Sequence, residues 1–161
     1  MAIQKIIPSL WYAKEAPEAA KFYASIFPDS RVDKITTLPT DSPSGPAGSV
    51  QVVEYTLFGQ QFTAMTAGPL DPFNHAISFS VMCDSQQEID KYWDALVAGG
   101  GAHDKCGWLK DKYGVYWQIT TPLLVKLMSD PDKTKAKRVA DAMMKMEKID
   151  IAAIKRAHEA A

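Results

Sequence analysis

Residues 107–119 read Gly-Trp-Leu-Lys-Asp-Lys-Tyr-Gly-Val-Tyr-Trp-Gln-Ile. Asp111, Lys112, Tyr113 and Gly114 have the composition of a tight turn, with Gly114 free to take positive φ. The residues from Val115 to Ile119 are mostly β-branched or aromatic, which favours a strand. Successive strand side chains point to opposite faces. Val115, Trp117 and Ile119 therefore face one way, and Tyr116 and Gln118 the other. The stretch predicts a β-hairpin whose second strand carries a large aromatic on one face and an amide on the other, as a strand lining a cavity does.

Upstream of the hairpin the pattern predicts a short strand over 102–106 and a helix ending at Gly99-Gly100-Gly101. Trp93 and Leu96 point inward on that helix, and Asp84 or Ser85 caps it. A strand over 76–81 precedes it. The same order of elements occurs earlier in the chain. A strand is expected over 3–12, where Pro8 argues for an edge position or a bulge. A helix follows over 16–27, with Pro17 in its first turn and Ala19, Ala20, Phe22, Tyr23, Ile26 and Phe27 as its apolar stripe. Strands are expected over 31–38, 50–58 and 61–66. Pro39, Pro43, Gly45, Pro46 and Gly48 make 39–49 a loop rather than a linker. Those glycines do not form a phosphate cradle, because the prolines lack N–H groups and no helix opens after them. Gly68-Pro69-Leu70-Asp71-Pro72 is a second break.

The two halves align as a repeat. Phe22-Tyr23 matches Tyr92-Trp93, which sets Leu10 opposite Ser80 and Pro8 opposite Ser78. Phe58-Gly59 matches Tyr113-Gly114, which sets Phe62 opposite Trp117 and Thr63 opposite Gln118. Each half reads β-α-β-β-β, and the second is shorter because it lacks the proline-rich loop. The tail beyond Pro122 differs in kind. It predicts a helical turn over 123–128, a helix begun by Asp130-Pro131 and carrying Val139, Met143 and Met146, and a last helix opened by Asp150. The fold class is α+β: two tandem βαβββ modules forming a curved mixed sheet with a cleft, plus C-terminal helices. The chain is read as one domain over 1–161, with modules at 1–68 and 74–121 and a helical tail at 122–161.

Bulk composition excludes several classes. The chain has 161 residues, 47% hydrophobic and 23% charged, with a formal net charge of −1. That is ordinary for one globular domain, and nothing in the balance favours nucleic acid or an anionic membrane. No apolar window is long enough to cross a bilayer, and the first residues lack the apolar core of a signal peptide. Cys83 and Cys106 are far apart in sequence, so a reducing cytoplasm and free thiols are expected.

Several segments together resemble the vicinal oxygen chelate superfamily, and within it the PhnB-like group often labelled demethylubiquinone methyltransferase-like. They are Phe22-Tyr23 with Ile26-Phe27-Pro28-Asp29-Ser30, then 59–64, then Phe73-Asn74-His75-Ala76-Ile77-Ser78-Phe79. Tyr92-Trp93-Asp94-Ala95-Leu96, 106–111, Gly114 and Trp117-Gln118-Ile119 complete the set. The resemblance implies paired modules enclosing a cleft, usually in a homodimer. It also implies a divalent metal held by His, Glu or Gln on the outer strands of the modules. The matching positions here are Pro8, Thr63, Ser78 and Gln118. Proline offers no donor, Thr and Ser are poor ones, and Gln118 is a neutral oxygen at best. A register slip would bring in His75, so His75 and Gln118 are the remaining metal candidates, and neither a metal nor another cofactor is expected.

The residues expected to line a ligand site are Trp11, Phe62, Thr63, Ser78, Cys106, Trp108, Trp117 and Gln118. Trp11, Trp108 and Trp117 are equally readable as core, and Cys106 as a small packed residue. Glu54 is the one acidic residue deep in a strand, a general base or simply solvent-facing. Asp111 reads as a turn residue, His103 and His158 as surface residues, and Met128, Met143, Met144 and Met146 as helix packing or dimer contacts. The function expected is binding of a small apolar or aromatic ligand in the inter-module cleft, by a cytoplasmic homodimer without an obligatory metal. The alternatives are a metal-dependent lyase, isomerase or dioxygenase, and the methyltransferase of the family label. The last would want a glycine-rich strand-to-helix turn, which the sequence does not show.

Overall fold

The computed structural model describes residues 4–69 and 71–160. Ile3, the expected start of the first strand, and Leu70 of the second break lie outside the described residues. The chain falls into two compact units, 1–72 and 73–161.

The first unit opens with β1 (Ser9–Tyr12), α1 (Ala16–Ile26) and β2 (Arg31–Thr37), followed by β3 (Gln51–Leu57) and β4 (Gln60–Thr66). The sheet order is β1-β4-β3-β2. β1 runs parallel to β4, with Ser9 beside Thr63, and the other pairs are antiparallel. The strand is shorter than expected because Pro8 precedes it, where its carbonyl accepts from the Thr63 N–H at 2.9 Å. The edge placement read from Pro8 is correct. One sheet face packs on α1 through Leu10, Tyr12, Val53, Tyr55, Leu57, Phe62 and Ala64, all buried. Ala16, Ala19 and Ala20 let the helix lie close to that face. Phe58 and Gly59 turn the β3–β4 hairpin with φ of 48° and 74°, the doubly positive pair that suits strand twist.

The second unit repeats the plan with β5 (Phe79–Met82), α2 (Gln86–Val97), β6 (Ala102–His103), β7 (Trp108–Lys110) and β8 (Tyr116–Thr120). Its order is β5-β8-β7-β6, again with the outer strand parallel to the closing one. The two units thus share connectivity and strand order, as the repeat requires. Ser85 caps α2, its hydroxyl accepting from the Glu88 N–H, and Gly99 at φ 84° ends it. Residues 76–78 are not strand: the chain turns at 75–77, where the Asn74 side chain accepts from the Ala76 N–H at 2.8 Å, and the strand begins only at Phe79.

The opening hairpin holds, with Gly114 at φ 87°. Its turn differs in class from that of Phe58-Gly59. The Gly114 N–H donates to the Asp111 carbonyl, and the Asp111 N–H to that of Val115, which makes a three-residue loop. Asp111 is more than a turn residue. It is 1% exposed, and its Oδ1 accepts from the N–H groups of Tyr113 and Val115 at 2.8 and 3.0 Å. Its Oδ2 accepts from Trp117 Nε1 at 2.8 Å.

The tail comprises α3 (Pro122–Met128), α4 (Lys133–Met143) and α5 (Ile151–Glu159). It belongs to the second unit's core, where Leu124, Val139, Ile149 and Ile154 are buried. Asp150 caps α5 as expected, but α4 is capped by Asp132, not Asp130. The Asp130 carboxylate is engaged elsewhere, by the Asp132 N–H and by His158 Nε2 at 2.7 Å. His158 is therefore half-buried rather than free at the surface. His103, though exposed, stacks flat on Trp93 at 4.4 Å. The main chain of 106–107 donates to the Met146 and Glu147 carbonyls at 2.9 and 2.6 Å. Gly107 has no room for a Cβ, which would sit 2.6 Å from the Ile119 carbonyl and 3.0 Å from Ile149.

Candidate functional site

The sheet face of the first unit that turns away from α1 is set by strand alternation. It carries Ser9 and Trp11 from β1, Gln61, Thr63 and Met65 from β4, and Val52, Glu54 and Thr56 from β3. Ladder partners share a face, and Thr63 lies between Ser9 on one side and Glu54 on the other. A pocket of about 190 Å³ sits here, lined by Ile7, Asp33, Val52, Glu54, Tyr55, Gln61, Phe62 and Thr63. Asp33 arrives at the face through an irregularity in β2 between Val32 and Lys34. Its carboxylate pairs with Arg31 Nε at 2.6 Å and accepts from the Thr56 hydroxyl at 2.6 Å. Glu54 is exposed and makes no ion pair or side-chain hydrogen bond among the described residues. Trp11 is half-buried, its indole N–H held by the Gly68 carbonyl at 2.9 Å.

The corresponding face of the second unit carries Ser80 and Met82 from β5, Tyr116, Gln118 and Thr120 from β8, and Trp108 and Lys110 from β7. The Gln118 amide donates to the Ser78 hydroxyl at 2.8 Å. Beside them His75 packs on Tyr116 with ring centres 3.9 Å apart and on Trp108 at 5.6 Å. Its Nε2 lies 3.3 Å from Asp104 Oδ2. The Asp104 carboxyl is held below the usual aspartate range, first by the Lys105 backbone N–H and then by His75. The arrangement is an aromatic shelf with an amide, a hydroxyl and an imidazole at its edge.

Of the residues expected to line a ligand site, Trp11 and Thr63 share one open face, and Ser78, Trp108 and Gln118 lie together in the second unit. Phe62 and Trp117 belong by alternation to the helix-covered faces. Phe62 stacks on Tyr55 at 5.4 Å while still lining the first pocket, and Trp117 is 3% exposed and bonded to Asp111. Cys106 is at neither sheet face. It sits at φ 58° in the loop before β7, half-buried, with Sγ 3.9 Å from Met144 Sδ. Cys83 is fully buried, and burial first, then the carboxylates of Glu88 and Asp84, pushes its thiol up to about 12.

The repeat alignment is one residue out on the opening strand. Ser78 neighbours Gln118, and the residue that lines the pocket with Thr63 is Ile7, not Pro8. Strand period is two, so a slip of one changes the face. Tyr116 was legible as a companion of Gln118 from alternation alone. Asp104 carried no sequence signal, because it meets His75 only through the fold.

A divalent ion of the kind implied by the resemblance wants three or more imidazole, thiolate or carboxylate donors. The positions in question supply Ile7, Thr63, Ser78 and Gln118, the last two bonded to each other. Among the described residues no three of His, Cys, Asp and Glu are grouped to hold a metal. The residues present do not fit such an ion.

A family model described as 3-demethylubiquinone-9 3-methyltransferase matches residues 4–120. The chain is 33% identical to a solved PhnB protein from Bacillus cereus, covering 73% of this chain and 99% of that one with a TM-score of 0.62. A Pseudomonas aeruginosa protein matches at 20% identity, covering 74% and 98%, with a TM-score of 0.55. The fosfomycin resistance protein FosX from Mesorhizobium loti matches at 11% identity, covering 81% and 100%, with a TM-score of 0.57. These last two likenesses are of fold alone. No curated protein matches.

Proposed function

The chain belongs to the 3-demethylubiquinone-9 3-methyltransferase family, the PhnB-like branch of the vicinal oxygen chelate superfamily, and from that premise we propose that it is a small-molecule-binding protein. The ligand is apolar or aromatic and lies against the open sheet faces, with no obligatory metal. The observation that carries this reading is the face bearing Trp108 and Tyr116 beside the Gln118–Ser78 pair. Ligand sites combine apolar and aromatic walls with a few placed polar groups. Aromatic stacking supplies affinity, and the amide and hydroxyl orient the bound molecule.

The test is a titration of the full chain with small aromatics, followed by tryptophan fluorescence and amide chemical shifts. Binding is expected to perturb Trp108, Tyr116 and Gln118, and Trp108→Ala to weaken it about tenfold or more. Perturbation scattered over the surface would sink the proposal. Elemental analysis after dialysis is expected to find no stoichiometric divalent metal.

The activity in the family's description is not part of the proposal. An adenosyl-bearing methyl donor is ordinarily held at a glycine-rich turn between a parallel strand and a helix. Here β1 joins α1 through Ala13-Lys14-Glu15, and β5 joins α2 through Cys83-Asp84-Ser85. Calorimetry with S-adenosylmethionine is expected to show no heat of binding at micromolar concentrations.

A further inference from the structure

We infer that the pocket in the first unit selects a small cation, an alkylammonium or similar group with a short apolar chain. The inference rests on the ligand-binding reading above and goes beyond it, giving the first unit's pocket a charged ligand with an apolar chain in place of a wholly apolar or aromatic one.

Three features support it. The pocket's polar wall is made of acceptors and neutral groups: the carboxylates of Asp33 and Glu54, the amide of Gln61 and the hydroxyl of Thr63. Its apolar wall is Ile7 and Val52 with Tyr55 and Phe62, and among the described residues no Lys, Arg or His lines it. The two carboxylates also differ in what they have left to offer. Asp33 is already engaged by Arg31 and by the Thr56 hydroxyl. Glu54 makes no ion pair or side-chain hydrogen bond among the described residues, although Lys34 is its neighbour in the ladder. Arg31 and Lys34 both lie close by, but one is spent on Asp33 and the other makes no ion pair with Glu54, so the free carboxylate beside apolar walls favours a cation over an anion.

Size restricts the class further. At roughly 30 Å³ per water-sized share, about 190 Å³ takes a ligand of about six non-hydrogen atoms. An ammonium would sit against Glu54, within reach of Gln61 and Thr63, with its alkyl chain along Ile7 and Val52.

The experiment compares butylammonium, butanol and butyrate, each titrated into the full chain at neutral pH and read at the backbone amides of Val52, Glu54 and Thr63. Saturable shifts are expected with butylammonium in the millimolar range, weaker ones with butanol, and none with butyrate. Glu54→Gln is expected to weaken butylammonium about tenfold and to leave butanol unchanged. Because Glu54 is exposed, that variant keeps the fold. Val52→Lys supplies an independent reading, since a cation in the wall should exclude butylammonium and admit butyrate. Equal binding of butylammonium and butanol, indifferent to Glu54→Gln, overturns the cation class while the ligand-binding reading stands. No shift with any of the three overturns both at this pocket.

Discussion

At the residue scale Asp111 decides more than its place in a turn suggests. It closes the 111–115 loop and anchors Trp117, so the hairpin and the buried indole depend on one carboxylate. Asp111→Ala would leave those three donors without their acceptor, two of them in buried positions. The expected loss is about 2–4 kcal/mol, read as a lower unfolding midpoint for the second unit by tryptophan fluorescence. Asp111→Asn keeps one acceptor oxygen and should cost less. Gly114→Ala forces a side chain to φ 87° and should cost about 1 kcal/mol. The thiols give a second residue-scale expectation. Cys83 is buried with its thiol pushed up to about 12, so it stays a thiol at any ordinary pH, and the thiolate is what reacts. A thiol reagent at pH 8 is expected to label Cys106 in the folded chain, and Cys83 only after unfolding.

At the element scale the tail is tied to α2 by the Lys148–Asp90 ion pair at 2.7 Å and, at the start of α5, by the Gln86 side chain. Gln86 Nε2 donates to the Ile149 carbonyl at 3.1 Å, and its Oε1 accepts from the Ile151 N–H at 2.9 Å, in the first turn of α5. Gln86→Ala removes both contacts and leaves the Ser85 cap intact. Faster amide exchange is expected in α5, with exchange in β7 and β8 unchanged. Equal acceleration throughout the unit would show that the tail does not open by itself. The elements were legible in the sequence where one signal dominated. Alternation gave β3 and β8, glycines gave the end of α2, and Asp150 gave the start of α5. They were misread where two local signals competed. Asp130 and Asp132 both offer a cap, and the choice is made by His158, a residue brought alongside only by the folded tail. The shortened β5 has the same cause, since the Asn74 side chain bends a segment whose composition alone reads as strand.

At the scale of the whole molecule, the duplicated plan was legible because it is written twice: both units show the same connectivity and order. What the sequence did not show is where the tail belongs. Its apolar positions repeat at helical spacing, which fits a helix packed on its own unit and a helix packed on a second copy equally well. The buried positions of Val139, Ile149 and Ile154, and the closeness of Ile149 to Gly107, make the tail part of the second unit's core. A chain ending at residue 121 is therefore expected to lose amide protection across 73–121, while 4–69, which has its own core, keeps it. If truncation left protection intact and changed only the molecular size, the tail would be an appendage that joins subunits. That two copies associate through the tail, in the homodimer the family resemblance implies, is a proposal, tested with a milder change. Val125 and Met128 on α3 are 53% and 39% exposed, and neither belongs to the buried core, so lysines there can keep their charged ends in water. We expect Val125→Lys with Met128→Lys to move the protein from dimer to monomer on sizing while every amide keeps its protection. An unchanged elution volume would place the subunit contact elsewhere than on α3.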